Sequence, residues 1–276
     1  MIVGRIRHGL DRVRRGLSPA HRRHRAAVRR EVAEAKAILA LIRGDRDVCW
    51  TAEDAINPLV TVRIPCYDRA RLVVDRAIAS ALAQTYTNLE ILVIGDDATP
   101  DTIAAVESVR DPRVRFVNLP RSPYPSDPYR RWLVVGYGPR NYALDVAKGA
   151  WITTLDDDDE YTPDHVEVLL RAAIDRRLEF VYGQSEVITP DGATGLLGRW
   201  PPGLGAFTDG ALLYSARLRF LKYDPESWRD GVPADWGLWR KMLAVGVKMG
   251  YVEQVVYRYF PVAHIPPQIA TEVDPA

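Results

Sequence analysis

Cysteine and long apolar runs are both scarce in this chain of 276 residues. Its two cysteines, Cys49 and Cys66, are too few for a disulfide framework and lack the spacing of a metal site. No apolar stretch reaches the roughly 18 residues that a membrane-spanning helix needs, and the first residues lack the apolar core of a signal peptide. We therefore expect a cytoplasmic protein, either free or peripheral at the inner face of the plasma membrane.

The phosphate-binding loops of two large enzyme classes are also missing. Neither Gly-x-Gly-x-x-Gly nor a Gly-Lys-Ser/Thr loop occurs, which argues against a dinucleotide-binding fold and against a P-loop enzyme. The net charge of +1 hides an asymmetry, because residues 1–48 carry 13 Lys and Arg against 5 Asp and Glu, whereas residues 49–276 carry 24 against 31. A basic N-terminal arm therefore precedes an acidic body.

The basic arm is predicted to form two amphipathic helices, separated near residues 16–19. Apolar residues recur every three or four positions, at 3, 6, 10, 13 and 17 and again at 28, 32, 35, 39 and 42. Such helices pack on their own protein, pair with a second copy or lie on an anionic membrane, and all three alternatives stay open. No nucleic-acid partner is expected, because the arm lacks aromatic residues between its basic ones.

From residue 58 onward the sequence alternates predicted strands and helices. Strands are predicted at 59–64, 91–94, 114–117 and 151–155, and helices at 74–82, 100–110, 140–148 and 163–174, the last with Thr162 as its N-cap. The proline-rich segment 119–129 is too long for a simple connector and is a candidate functional loop. Nearly continuous apolar strands in βαβ order predict an α/β protein with a mainly parallel sheet covered by helices on both faces.

Four consecutive aspartates, Asp156 to Asp159, close the apolar run that begins at Trp151. Adjacent carboxylates repel one another unless a cation or hydrogen bonds stabilise their charged form. In open α/β sheets, ligands bind in the crevice outside the carboxyl ends of the strands, where these acids and the Asp96-Asp97 pair are expected. Carboxylate oxygens suit Mg²⁺ or Mn²⁺ bound together with substrate phosphates. The alternative is a solvated acidic turn that caps the next helix.

Four short motifs follow one another along the acidic body. They are NPLVTVRIPCYDR at 57–69, ALAQTY at 81–86, GDDATPDT at 95–102, and PRNYAL followed by KG within 139–149. Together with the aspartate-bearing strand they resemble the large family 2 of inverting GT-A-type glycosyltransferases, which use nucleotide sugars. The resemblance implies a Rossmann-like GT-A domain over residues 57–262, with residues 1–48 as a basic helical extension and residues 263–276 as a proline-containing tail.

The resemblance also implies which residues hold the nucleotide-diphosphate sugar. Pro65, Tyr67 and Asp96 would lie near the base and ribose, where a carboxylate accepts an imide or hydroxyl hydrogen bond. Arg140 would pair with a phosphate or with the acidic cluster. Two structural alternatives stay open: Asp96 as a helix N-cap and Tyr67 as a packing residue.

A metal site is implied at the aspartate cluster. Asp156 and Asp158 would face the same way on an extended segment, with Asp156 nearer the ribose and Asp158 the direct ligand of Mn²⁺ or Mg²⁺. Asp157 is counted with the nucleotide-sugar-binding residues, although its side chain, like that of Asp159, is expected to point away. His264 is a further candidate metal ligand, with a solvated histidine as the alternative.

The implied reaction needs a base that accepts the acceptor's hydroxyl proton. Asp235 occupies the position of the family's base, although Ala234 replaces the acid that usually precedes it, and Asp235 is also a candidate N-cap. The expected activity is transfer of a sugar to a hydroxyl of a glycan or lipid-linked acceptor. The alternatives are a catalytically degenerate scaffold and a nucleotidyltransferase-like enzyme, and the latter is disfavoured because residues 64–71 lack glycine.

Overall fold

The computed structural model describes residues 18–261. The first predicted helix, the C-terminal tail and His264 lie outside the described residues.

Nine strands of the described chain form one sheet. They are β1 (Val60–Cys66), β2 (Leu89–Asp96), β3 (Val114–Leu119), β4 (Trp151–Thr154), β5 (Glu160–Tyr161), β6 (Phe180–Ile188), β7 (Thr194–Leu197), β8 (Leu212–Ser215) and β9 (Met249–Tyr259). Their order is β3-β2-β1-β4-β8-β6-β9-β5, with β7 paired to β6. The pairs among β3, β2, β1 and β4 are parallel, as predicted. The other half is mixed, since β8 is antiparallel to β4 and β6, and β9 is parallel to β6.

Helices cover both faces of this sheet. They are α1 (Pro19–Arg43), α2 (Ala70–Leu72, a π-helical segment Val73–Ile78 and Ala79–Leu82), α3 (Pro100–Glu107), α4 (Pro128–Val134), α5 (Tyr137–Val146), α6 (His165–Asp175) and α7 (Ala234–Val245). Alternate residues of a strand face opposite sides, so β2 sends Ile91 and Val93 into one apolar core and Leu92 and Ile94 into a second. The first core includes α2 and α6, and the second includes α1, α5 and α7.

Three local features differ from the sequence prediction. Pro65 lies inside β1 rather than ending it. Residues 63 and 65 direct their backbone N–H and C=O positions toward β4, and β4 pairs with β1 only as far as Arg63. The N–H that proline lacks therefore removes no hydrogen bond between the strands. The segment 119–129 leads into α4, a helix that was not predicted. Helix α6 begins at His165, and the Thr162 hydroxyl donates to the Asp164 carboxylate instead of capping the helix.

Helix α1 packs on the body of the protein. Ser18 accepts a hydrogen bond from the backbone of His21, and Pro19 occupies the first turn, so the helix begins where the predicted break ends. Ala35 and Leu39 are buried in the second core. For this helix, packing on its own protein accounts for the apolar stripe. No helix within residues 18–261 is both long enough and apolar enough to cross a bilayer.

Candidate active site

A cleft of about 240 Å³ opens where β1, β2 and β4 end side by side. Every described residue that the sequence placed in the donor or metal site lines it: Pro65, Tyr67, Asp96, Arg140, Asp156, Asp157 and Asp158. Arg69, Tyr259 and Phe260 complete much of its wall. The cleft therefore lies at the carboxyl ends of parallel strands, where ligands of open α/β sheets bind.

Asp96, the last residue of β2, is held by the loop that follows β3. Its carboxylate accepts hydrogen bonds from the Ser122 amide at 2.8 Å and the Ser122 hydroxyl at 2.7 Å, and a third from the Tyr124 hydroxyl. The N-cap of α3 is Thr99, so the capping alternative for Asp96 is wrong. Through Ser122 and Tyr124, the proline-rich loop thus fixes a carboxylate that lines the cleft.

Tyr67 is 40% exposed at the rim of the cleft. The guanidinium of Arg121, from the same loop after β3, lies 4.1 Å from the centre of the Tyr67 ring. One face of the Tyr67 ring therefore contacts a cation while part of the ring stays exposed. Such a ring suits stacking on a planar ligand. Packing in the core does not account for Tyr67.

The four aspartates form a turn and not an extended segment, because β4 ends at Thr154 and the Asp159 amide donates to the Asp156 carbonyl. The expected alternation therefore fails for Asp157, whose carboxylate shares Arg69 with Asp158, at 2.7 Å and 3.2 Å. Asp159 also lines the cleft, and its carboxylate accepts hydrogen bonds at 2.7 Å from both the Tyr257 hydroxyl and the Phe260 amide.

Burial and mutual repulsion disfavour charge on this turn. Burial raises the pKa of Asp157 to about 6, against the opposing effect of Arg69. Burial and the charge of Asp156 raise the pKa of Asp158, and the same two causes raise the pKa of Asp159 well above its usual range. A cation at the cleft would relieve this repulsion.

Oxygen donors are the only metal-ligand chemistry that the aspartate turn offers. Within residues 18–261 no three His, Cys, Asp or Glu side chains are arranged to hold a metal by themselves. Asp156, whose side chain is 33% exposed, and Asp158 nevertheless line one cleft. One or two carboxylates that share the ion with substrate phosphates are what Mg²⁺ typically uses, so these residues fit such an ion.

Arg140, in the first turns of α5, lies among three aspartates. Its Nη2 is 2.7 Å from Asp156, its buried Nε is 3.3 Å from Asp209, and the charge of Asp235 also acts on it. Although burial lowers the pKa of Arg140, Asp156 and Asp209 raise it above its ordinary value, so the guanidinium stays charged. Gly136 has the left-handed φ of 78°, and a Cβ there would lie 2.4 Å from Arg140 Nη1.

Asp235 lies in the first turn of α7, beside Arg140 and Asp156 and next to the lining of the cleft. The N-cap position of this helix is occupied by Pro233, so the alternative that Asp235 is the N-cap is wrong. Its carboxylate accepts from the Trp236 amide at 2.5 Å. Burial raises the pKa of Asp235, against the effects of this hydrogen bond and of Arg140. A carboxylate with a raised pKa suits proton acceptance.

Sequence reasoning missed several charged or polar groups around the cleft. Arg63 is buried inside β1, donating to the Thr154 hydroxyl at 2.7 Å and 2.9 Å and to the Tyr223 hydroxyl. Asp209 accepts from Tyr223 at 3.3 Å. Arg63 could have been singled out from the sequence, because it is a charged residue within an apolar strand. Asp209 and Tyr223 could not, because they lie in irregular segments without a periodic pattern.

Comparison with known proteins identifies the family. Residues 61–125 and 136–243 match the family model described as glycosyl transferase family 2. The chain belongs to this family. Every described candidate site residue, from Pro65 to Asp235, falls inside the two matched segments.

Three curated proteins similar to this family 2 chain come from bacteria. It is 33% identical over 148 residues to a chondroitin synthase of Pasteurella multocida, covering 52% of this chain and 14% of that protein. It is 33% identical over 135 residues to the succinoglycan biosynthesis protein ExoO of Rhizobium meliloti, covering 49% and 35%. It is 30% identical over 137 residues to WfgD of Escherichia coli, named a UDP-Glc:alpha-D-GlcNAc-diphosphoundecaprenol beta-1,3-glucosyltransferase, covering 50% and 49%. The matched part of the chain thus spans half or less of the length of each of these relatives.

Solved structures show the GT-A fold that the resemblance implied. TarS of S. aureus in complex with UDP-GlcNAc has a TM-score of 0.54 at 15% identity, covering 74% of this chain and 58% of that one. The mannosyltransferase PcManGT of Pyrobaculum calidifontis, in complex with GDP-Man and Mn²⁺, has a TM-score of 0.54 at 17% identity, covering 88% and 66%.

Proposed function

We propose that this family 2 protein is an inverting, metal-assisted glycosyltransferase that uses a nucleotide-diphosphate sugar. The observation that carries the proposal is Arg140, which pairs with the cleft aspartate Asp156 at 2.7 Å and interacts electrostatically with Asp235. A donor in the cleft would place its diphosphate beside Asp156 and Asp158, with an acceptor hydroxyl approaching from Asp235. The sugar would then lie between Asp156 and Asp158, which would hold the diphosphate end of the donor, and Asp235, which would act on the acceptor hydroxyl.

The donor's binding follows from the residues of the cleft. Tyr67 offers a ring face for the base, and Asp96 offers a carboxylate held by three hydrogen bonds for the base or ribose. Asp156 and Asp158 would hold Mn²⁺ or Mg²⁺, with Asp157 beside them on Arg69. The bound ion would supply charge neutralisation for the departing diphosphate.

The transfer requires one proton acceptor and one displacement. The acceptor hydroxyl oxygen forms a bond to the anomeric carbon while the bond from that carbon to the diphosphate oxygen breaks, so the anomeric configuration inverts. Asp235 accepts the hydroxyl proton, and the nucleoside diphosphate leaves as an anion. Because burial raises the pKa of Asp235, the carboxylate is a stronger base than an exposed aspartate and must be ionised to act.

The acceptor class is proposed from the relatives. WfgD is named for transfer to a GlcNAc-diphosphoundecaprenol, and ExoO for succinoglycan biosynthesis. We infer a glycan or lipid-linked glycan acceptor for this chain, and a role in building cell-envelope polysaccharide. Transfer to a lipid-linked acceptor would take place at the cytoplasmic face of the plasma membrane.

A panel of nucleotide sugars tests the proposal. Thermal unfolding of the full chain is measured with each sugar in Mn²⁺ and again in EDTA, because a ligand that binds the folded state raises its apparent stability. We expect one nucleotide class to raise the melting temperature only with the ion, and the sugar product to have the anomeric configuration opposite to that of the donor. Binding without any transfer to glycan acceptors would favour the scaffold, and release of pyrophosphate would favour a nucleotidyltransferase.

A further inference from the structure

Helix α1 uses its inward face to attach to the body. Arg25 pairs with Asp230 at 3.0 Å, Glu31 with Lys241 at 2.7 Å, and Arg43 with Glu179. Together with buried Ala35 and Leu39, these contacts occupy the apolar stripe that an isolated amphipathic helix would insert into a bilayer. Any other partner of α1 must therefore bind the outward face.

The outward face of α1 is basic. Its exposed cations are Arg22, Arg23, Arg29, Arg30 and Lys36. In the described part of the chain, no carboxylate lies within ion-pair distance of any of the five, and α1 directs its ion pairs elsewhere. A spacing of seven residues aligns Arg22, Arg29 and Lys36 along the helix. Leu41, 82% exposed, extends this face toward the C-terminal end.

The arginine-rich end of α1 lies on the cleft side of the molecule. His21 contacts the Arg229 carbonyl, and Arg25 pairs with Asp230, both in the 3₁₀ turn Ser227–Asp230. That turn contacts α4, and the residues directly after α4 line the cleft. The opposite end of α1 lies at Gly246, beyond the C-terminus of α7, where Arg43 donates to the Gly246 carbonyl at 2.9 Å. A surface bound by the arginines would therefore lie near the mouth of the cleft.

We propose that the outward face of α1 docks the protein electrostatically on a bilayer of anionic lipids, without α1 leaving the body. The inference rests on the proposed function, since a lipid-linked acceptor would then meet the cleft at the membrane surface. Lys and Arg near an anionic leaflet each add to the attraction, which decays within a Debye length. Pairing of this face with its copy in a second molecule would bring like charges together. Helix α1 has no aromatic residue that would favour single-stranded nucleic acid.

Co-sedimentation of the full chain with vesicles tests the docking. One set of vesicles combines phosphatidylglycerol with phosphatidylcholine, and the other contains phosphatidylcholine alone. The test variant carries Arg22→Gln, Arg29→Gln and Arg30→Gln. The matched control carries Arg71→Gln, Arg110→Gln and Arg171→Gln, three exposed arginines on the layer that covers the opposite face of the sheet.

We expect the wild type and the control to sediment with the anionic vesicles alone. The test variant should bind them at least about tenfold more weakly, because three of the attracting charges are gone. High salt should release all three proteins. Equal binding by both triple variants, or tighter retention on RNA than on vesicles at equal phosphate, would overturn the proposal. Donor-induced thermal shifts of the same proteins report the proposed function separately, so its failure is distinguishable from failure of docking.

Discussion

The two halves of the sheet contribute to the cleft in different ways. In the parallel half, β1, β2 and β4 end side by side, and each delivers its residues within a few positions of the strand end. In the mixed half, Asp209 precedes β8 after a long irregular segment, and Asp235 lies in the first turn of α7, which packs against α1. The proposed donor side of the cleft is therefore built locally, whereas the proposed base depends on the tertiary packing of the second half.

Arg140 joins the two halves. It comes from α5, directly before β4, yet it contacts Asp156 from the parallel half and Asp209 from the mixed half. A buried ion pair is weak support for stability, because desolvation of the charges offsets much of their attraction. Under the proposed function, the cluster would fix the spacing between the donor and the base, and mutations on either side should separate the two contributions.

Replacing Asp235 should have the largest effect. Asp235→Asn keeps the shape of the side chain but removes the proposed proton acceptor, so turnover should fall about 100-fold or more. Donor affinity should change little, since the donor-side residues belong to the other half. Steady-state kinetics with a donor-binding assay measures both quantities.

Asp101→Asn is the matched control, because Asp101 occupies the same position in the first turn of α3 and is exposed. It should leave turnover unchanged. Near wild-type turnover of a folded Asp235→Asn protein would remove Asp235 from the role of base.

The metal assignment is tested within the parallel half by two neighbouring aspartates that share Arg69. Asp158→Asn should weaken metal-dependent donor binding by at least about tenfold, because even changes outside the ligand shell cost about 10- to 100-fold in metal affinity. Asp157→Asn should have a mild effect. Calorimetric titration of the donor with Mn²⁺ and with EDTA checks both, and equal small effects would contradict the assignment of Asp158 as the ligand.

A smaller effect is expected at the loop that holds Asp96. Tyr124→Phe removes the hydrogen bond that Tyr124 donates to Asp96, a contact to a carboxylate that contributes about 1.5–3 kcal/mol. It also removes the hydrogen bond that the Tyr124 hydroxyl accepts from the Gly136 amide at 2.9 Å. The Ser122 amide and hydroxyl remain, so donor affinity should fall only several-fold.

Tyr137→Phe is the control for this change, because the Tyr137 ring packs edge-on against Tyr124 while its hydroxyl makes only a 3.4 Å contact with the Pro123 carbonyl. Donor titration of both variants measures the difference. Because both variants keep the ring pair, equal losses would contradict a specific role of the Tyr124 hydroxyl in holding Asp96.

The contrast between the halves also explains what the sequence could predict. Hydrophobic periodicity located β1 to β4 and their helices because buried parallel strands are nearly continuous apolar runs. The same signal could not place β8, whose four residues are buried and whose last three pair antiparallel with β4, far away in sequence. The positions of Asp96 and of the four aspartates were predictable because they lie at or just after the ends of apolar strands. The contact of Asp209 with Arg140 depends on how the segment 198–209 folds back, which no local pattern encodes.

The smallest effect, one on stability, is expected at Asp209, where the two halves meet. Burial raises the pKa of Asp209 to about 7, with Arg140 and Arg63 opposing and Asp235 adding to the shift. A carboxyl whose pKa is raised on folding stabilises the protein while protonated, and that contribution is lost as the pH rises from about 4 through about 7. The asparagine side chain of Asp209→Asn stays neutral at every pH. The free energy of unfolding of this variant, relative to that of the wild type, should therefore increase by about 1 kcal/mol or more between pH 5 and pH 8.

Asp111→Asn provides the opposite case. Asp111 pairs with Arg113 at the surface, and the hydrogen bonds from Arg113 lower its pKa, so its contribution is lost only in acid and should be constant over the same pH range. Urea unfolding of the wild type and both variants across pH measures the two slopes. Parallel stability curves for Asp209→Asn and wild type would mean that Asp209 remains ionised beside Arg140, and that the two halves are joined by a full ion pair.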